Sequence, residues 1–420
     1  MSRGSNSAPN YNDLLKKTEH YDKDERYMAI SDLCEALKRN AAHANSENNS
    51  NAAASSSTPQ IDSQTERRIC SAVLSLLDDS SNDVQTVAVK TLGVLLMTVQ
   101  EEQVNEIADR ICGLMLDPSK SALRDVYAIG LKTLVETVPD SMGNAVSHHL
   151  IGRLIDGVHT NSNTSPSSSP SSGDDKNSEE IVLACLNVLT DLLTRFGSSS
   201  NSITMQHEPL LNVSLLQLGS PRPIVRKRAG TTISVLATVM SDSLLHRLVE
   251  RLLDQIDLAS GIGKSGKKRA RIAHKSDGSK SLASSDLRSA DTRSLIRTMC
   301  TVSGTVGHRL NQGHIDRIVP IFLRFCDPAD ADDEDYDSDE PMDTDDVMAG
   351  MGEEAAAAMQ IELRESCFAG FESFVLRCPA LIRPHLDQIV YSALAYMRFD
   401  PNYTYDDDDD DAEDDEEEEE

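Results

Sequence analysis

The stretch closest to a chemical motif is Gly261–Lys268, G-I-G-K-S-G-K-K. A phosphate-cradling loop needs Ser or Thr directly after Gly-Lys, because that hydroxyl holds the magnesium ion. Lys268 stands there instead. The alternative register, ending Gly263-Lys264-Ser265, needs glycine at 258 and meets Leu258. No strand precedes the stretch to hold a cradle in place. The pair His148-His149 is adjacent, so the two rings do not share a helix face, and nothing nearby completes a metal set. Eight cysteines, at 34, 70, 112, 185, 300, 326, 367 and 378, include no C-x-x-C pair and sit mostly on apolar helical faces, as reduced core residues do. The residues therefore assemble no catalytic constellation. The expectation is a protein that is not an enzyme and uses no cofactor or metal.

What remains is charge. Lys267, Lys268, Arg269 and Arg271 form a compact basic cluster in a Gly/Ser/Lys-rich stretch, a candidate nuclear-import segment. The net charge of -29 comes from two tracts, Asp327–Glu354 and Asp406–Glu420, each with 14 acidic residues and no Lys or Arg. Removing those 28 from the 69 acids leaves 41 against 40 Lys and Arg, so the rest is near neutral. With no aromatics interleaved in the basic cluster and an acidic chain overall, nucleic acid is not an expected partner. No run reaches the ~18–20 apolar residues of a membrane span, and the N-terminus lacks an apolar signal segment. The reading is a cytoplasmic and nuclear protein with no membrane partner.

The elements that must present these residues follow one template. Leu123–Leu134 reads L-R-D-V-Y-A-I-G-L-K-T-L. Val84–Leu95, Val225–Leu236 and Leu363–Phe374 repeat it, with a weaker copy from Glu25 to Leu37. Large apolar residues stand at the ninth position (Leu92, Leu131, Ile233, Phe371) and the twelfth (Leu95, Leu134, Leu236, Phe374). Ala88, Ala128, Ala229 and Ala369 lie between. This is helical spacing with a close-packed seam. The start-to-start distance from Val84 to Leu123 is near the ~40–47 residue period of two-helix repeats. One such pair cannot bury its apolar face alone, but a stack can. A chain of 420 residues also exceeds the ~250–300 that one core serves. The second position is Arg26, Gln85, Arg124, Arg226 or Arg364, expected to reach turn carbonyls or an Asp of the next repeat.

The expected fold is therefore all-α: a right-handed α-α superhelix, a HEAT/armadillo-type solenoid of seven to eight helical pairs with disordered insertions. Repeat 1 spans 11–40, followed by a disordered insertion at 41–60. Repeats 2 and 3 take 64–101 and 102–140. Repeat 4 is 145–198 with an insertion at 160–178, and repeat 5 is 203–241. Repeat 6, 243–306, carries the basic insertion 260–285. Repeat 7, 310–378, carries the acidic insertion 327–358. Residues 379–398 form the first helix of an eighth repeat, and 406–420 an acidic tail. Second helices of such pairs line a concave face. The partner-binding candidates are accordingly Lys90, Lys132, Arg222, Lys227 and Arg228, with His308 and Arg309.

Taken in order, several stretches resemble one family. They are D-K-D-E-R-Y-M-A-I-S-D-L (22–33), N-D-V-Q-T-V-A-V-K-T-L-G (82–93) and the 123–134 template. S-P-R-P-I-V-R-K-R (220–228), V-G-H-R-L (306–310), F-E-S-F-V-L-R-C-P (371–379) and Y-M-R-F-D-P-N-Y-T-Y-D-D-D (396–408) continue the set. The set resembles the N-terminal part of the cullin-associated, neddylation-dissociated proteins, also described as TATA-binding-protein-interacting. The resemblance implies a HEAT solenoid that wraps a cullin and its RING subunit when the cullin lacks its ubiquitin-like modifier. It further implies that the full family protein promotes substrate-receptor exchange through distant C-terminal repeats. Here the insertions depart from the family, and the chain ends where the family continues. A separate chain carrying the C-terminal repeats is thus a candidate partner. A HEAT-type scaffold or nuclear transport receptor binding basic proteins is the alternative reading.

Overall fold

The computed structural model describes residues 10–47, 61–162, 174–259, 292–326 and 353–398. They are helical throughout, joined by short turns, and include no strand. The helices are α1 (Tyr11–Lys17), α2 (Lys23–Glu47), α3 (Ser63–Leu76), α4 (Asn82–Leu96), α5 (Glu101–Leu116) and α6 (Arg124–Thr137). There follow α7 (Gly143–Ser162), α8 (Asp174–Phe196), the single turn α9 (Asn201–Thr204), α10 (His207–Leu216), α11 (Pro223–Val239), α12 (Asp242–Ala259) and α13 (Thr292–Val306). The last are α14 (Gln312–Cys326), α15 (Glu353–Arg377), α16 (Pro379–Ile382) and α17 (Leu386–Arg398). The chain forms two compact units, 1–305 and 306–420.

In the first unit the helices stack in two rows. Each second helix lies on its own first helix: α2 on α1, α4 on α3, α6 on α5, α8 on α7 and α11 on α10. Each also lies on the second helix before it, from α2 through α4, α6 and α8 to α11. The first helices α1, α3, α5, α7 and α10 stack in the same way. This is the HEAT/armadillo arrangement, and the sequence template explains it. Val84, Leu92, Leu95, Leu131, Leu134, Val225, Ile233 and Leu236 are all buried. Burying one such side chain contributes about 1.5–3 kcal/mol, repeated at every seam. The small residues set the spacing. A Cβ added to Gly93 of α4 would stand 3.1 Å from Thr133 Cγ2 of α6, a tight approach that the Thr133 side chain would have to yield to.

Local signals place the ends. The Asp62 side chain accepts from the Thr65 backbone N–H at 2.8 Å and caps α3. Pro223 opens α11 at its first helical position, where no N–H is missed. Between α5 and α6 the template start, Leu123, lies in a 3-10 turn (Pro118–Leu123) and is only half-buried.

Several boundaries depart from the sequence expectation. Helix α2 continues past Asn40 to Glu47, into the region read as a disordered insertion, because Ala41 and Ala42 carry helix as readily as loop. Helix α8 begins at Asp174 and α15 at Glu353, so parts of the 160–178 and 327–358 insertions are helical. The stretch 379–398, expected as one helix, breaks into α16, a 3-10 turn (Arg383–His385) and α17. Pro384 supplies the break, since it has no N–H to donate. The template also misplaced two small residues. Ala128 is half-buried and Ala369 exposed; their neighbours Tyr127 and Gly370 take the seam.

In the second unit α14 packs on α15 and α17. Its core is aromatic. The Phe322 ring lies 5.7 Å from Phe371 and 6.3 Å from Phe374, and Phe368 meets Tyr396 at 5.3 Å.

Candidate binding surface

The second-position residues look inward. Arg26 of α2 makes paired bonds to Asp79 at 2.6 and 2.9 Å, and donates to the His20 and Tyr21 carbonyls, both at 2.9 Å. Gln85 of α4 donates to the Asp79 carbonyl at 2.5 Å. Arg124 of α6 is 3% exposed; it donates to the Met115 carbonyl and reaches Asn177 and Glu180 of α8. Arg226 of α11 donates to the Ser220 and Pro221 carbonyls and to Ser294 of α13. Arg364 of α15 is buried. In the first unit each arginine thus closes its own turn and touches the following repeat, where a planar five-donor group suits the task. The Arg26 hydrogen bond holds the Asp79 carboxyl below its ordinary value. Burial draws Arg124 below the usual arginine value, with Glu180 opposing. These residues are anchors, and they are consumed.

The partner-binding candidates of the sequence lie apart from these anchors. Lys90 is exposed on α4. Lys132 is exposed on α6, 3.8 Å from Glu136 one turn on. Arg222, at the N-cap of α11, is exposed and ion-paired with Glu179 of α8. Lys227 is exposed on α11, and Arg228 is half-buried beside it. His308 is exposed and Arg309 half-buried, both in a 3-10 turn of the second unit. The basic cluster Lys267, Lys268, Arg269 and Arg271 lies outside the described residues, as do most of the first acidic tract and all of the second.

The structure adds a residue that the sequence did not single out. Asp191 of α8 is half-buried, and burial raises its carboxyl above the ordinary value; Lys132 and Arg228 oppose the shift, while Glu136 adds to it. Two of the candidate cations, from α6 and α11, are therefore near enough to act electrostatically on one acid of α8, the helix that packs on both. Near this group lie four threonines: Thr194 is exposed, Thr190 and Thr231 are half-buried, and Thr232 is buried in the seam. Thr190, Thr194, Thr231 and Thr232 each donate back to a carbonyl four residues earlier, and Thr190 meets Thr232 across the α8–α11 seam at 2.9 Å. Hydroxyls satisfied in this way present methyl groups, and short side chains lose little freedom when covered. Ile129 and Ile224, 53% and 58% exposed, flank the polar group on α6 and α11. The arrangement sets charges of both signs beside short side chains and two exposed apolar residues on neighbouring helices.

No Asp191 signal was available from the template, because α8 carries no recognisable copy of it. Among the described residues no group of three or more His, Cys, Asp or Glu is placed to hold a metal ion. His149 pairs instead with Asp109 at 2.9 Å. No described helix is long and apolar enough to cross a membrane.

No family model matches the sequence. Individual proteins do. The chain is 31% identical over 398 residues to cullin-associated NEDD8-dissociated protein 2 of Mus musculus, across 94% of this chain and 25% of that protein. It is 25% identical over 265 residues to a protein of Emericella nidulans named cullin-associated NEDD8-dissociated protein 1, N-terminal part, across 59% of this chain and 71% of that one. The chain spans about a quarter of the length of the first curated relatives it matches. Among solved structures, a chain from the work on Kap95p binding to RanGDP aligns with a TM-score of 0.51 at 13% identity, over 93% of this chain and 40% of that chain, and so shares the fold.

Proposed function

We propose, from the premise that this chain belongs to the family of the cullin-associated, NEDD8-dissociated proteins, that it is a non-catalytic regulator of cullin–RING ubiquitin ligase assembly. It binds a cullin that lacks its modifier, together with the RING subunit, along the outward faces of the second helices. The Lys132–Asp191–Arg228 group lies at the centre of the contact, with Lys90, Arg222 and Lys227 around it. His308 and Arg309, in the second unit, are candidates for a contact of that unit's own. The observation that carries the reading is the match to cullin-associated proteins across nearly the whole chain. Support comes from the division of labour among the arginines and lysines: the inward ones are spent on stacking, the outward ones stand at the surface.

Substrate-receptor exchange requires more than binding, and we assign it to the chain acting with a separate polypeptide that carries further repeats. The support is an apolar step in the second unit. In the first unit a second helix rests on its own first helix and on the previous second helix. Helices α17 and α15 offer those two surfaces with Val390, Leu394 and Met397 exposed on one and Val375 and Leu376 on the other. Residues 390, 394 and 397 share one helical face. The basic cluster at 267–271 serves nuclear entry, with the protein working in both cytoplasm and nucleus.

A pull-down of the full chain with unmodified and NEDD8-modified cullin–RING, at two salt concentrations, tests the reading. Retention of the unmodified scaffold and loss of the modified one is the expected result. Equal retention of both, or of neither, removes it.

A further inference from the structure

Helices α14 and α15 run antiparallel, and their side chains meet in rungs. The Phe322 and Phe371 rings are 5.7 Å apart. One turn along α14 from Phe322 is Cys326; one turn back along α15 from Phe371 is Cys367. The next rung is therefore a cysteine pair, and the two thiols are hydrogen-bond partners. Glycine brings the helices close at this level. A Cβ added to Gly370 would stand 2.6 Å from the Phe322 ring, nearer than any side chain tolerates. Both thiols are fully buried. Cys326, however, is the last described residue of α14, and a single turn can open locally at less than the cost of global unfolding.

We propose that Cys326 and Cys367 form an oxidation site, a dithiol that a hydroperoxide converts to a disulfide joining the last described turn of α14 to the middle of α15. Opening of that turn admits water and oxidant. The Cys326 thiol loses its proton, and the thiolate attacks one peroxide oxygen, breaking the O–O bond. The departing oxygen leaves as water, or as an alcohol from an organic peroxide, and Cys326 becomes a sulfenic acid. On closure the Cys367 sulfur attacks the sulfenic sulfur. The S–S bond forms, the S–O bond breaks, and hydroxide leaves with the Cys367 proton as a second water. Two thiols are oxidised and one peroxide is reduced. In the closed state the Cys367 hydrogen bond, and then burial, hold the Cys326 thiol far above its ordinary value, so reaction waits on the opening step.

The chain contains its own control. Cys112 of α5 and Cys185 of α8 are neighbours close enough to influence each other electrostatically, and burial pushes Cys112 up to about 11. Neither is the last described residue of its helix. The inference is independent of the cullin reading.

The test treats the full folded chain with sub-millimolar hydrogen peroxide, alkylates free thiols and digests with trypsin. Residues 325–364 and 365–377 leave as separate peptides, each with one cysteine of the pair. A reductant-sensitive link between them, appearing before any link between Cys112 and Cys185, is the expected result. In Cys367→Ser, Cys326 should accumulate as a sulfenic acid trapped by dimedone, with the helical circular-dichroism signal unchanged. A link that forms only after unfolding in urea overturns the proposal. So does failure of the link to form in folded, peroxide-treated protein.

Discussion

The two units bury different things. In the first, the seams are aliphatic and repeated: Leu92, Leu95, Leu131, Leu134, Ile233 and Leu236 occupy equivalent places, and arginines bind each turn to the next repeat. In the second, Phe322, Phe371 and Phe374 make one cluster, and the apolar faces of α15 and α17 stay partly open. A stack of near-identical seams distributes its stability, so any single loss is local. A single aromatic cluster concentrates it. The first unit is thus suited to presenting a long, repetitive surface, and the second to a change at one point.

The sharpest way to break this contrast is to empty the aromatic cluster. Phe322→Ala should cost about 3–5 kcal/mol and should lower the unfolding transition of the second unit alone, as read by hydrogen exchange. An equal loss of protection in α4 and α6 would mean that the units do not differ in this way. Leu131→Ala should cost about 2–5 kcal/mol, with lost protection confined to helices near α6.

Next comes the polar anchoring. Arg124→Ala should cost about 2–3 kcal/mol in urea unfolding, since the Met115 carbonyl, Asn177 and Glu180 lose a charged donor. Lys227→Ala, on an outward face, should cost less than about 0.5 kcal/mol. Similar losses for the two would refute the division between inward and outward cations.

Smaller, and opposite in sign, are the pH effects of two aspartates in the first unit. Asp79 is held below its ordinary value by Arg26. It contributes stability above the unfolded value near ~3.9 and loses it as pH falls through the lower folded value. Asp79→Asn should therefore flatten the acid limb of a stability–pH curve. Asp191 is raised by burial, so its charged form costs stability at neutral pH. That cost disappears as pH falls through the raised value. Asp191→Asn should melt higher than wild type at pH 7, and the gap should shrink on acidification.

The helical stack was legible because the template demands a nine- and twelve-position seam, and Leu92, Leu131 and Ile233 have no other use. The Arg and Gln at the second position were legible by recurrence. Asp191 was not, since α8 lacks the template and an acid on a polar helical face reads as solvated. Its meaning depends on Lys132 and Arg228 arriving from neighbouring helices, a fact of stacking and not of spacing. The end of α2 and the start of α15 were missed because Ala- and Glu-bearing flanks suit helix and loop alike, the start of α8 because Asp174–Ser178 is polar and carries no apolar spacing, and the break before α17 because Pro384 lies inside a stretch whose apolar spacing otherwise fits one helix. Lys267, Lys268, Arg269 and Arg271 fall outside the described residues, and their reading stays with the sequence.

The most direct test of the binding account is the affinity of the full chain for an unmodified cullin–RING scaffold, measured by titration calorimetry for wild type and for the double reversal Lys132→Glu/Arg228→Glu. A loss of about tenfold or more, roughly 1.4 kcal/mol, with unchanged helical content is the predicted result. Wild-type affinity in the reversed protein would contradict the placement of the interface on the second helices.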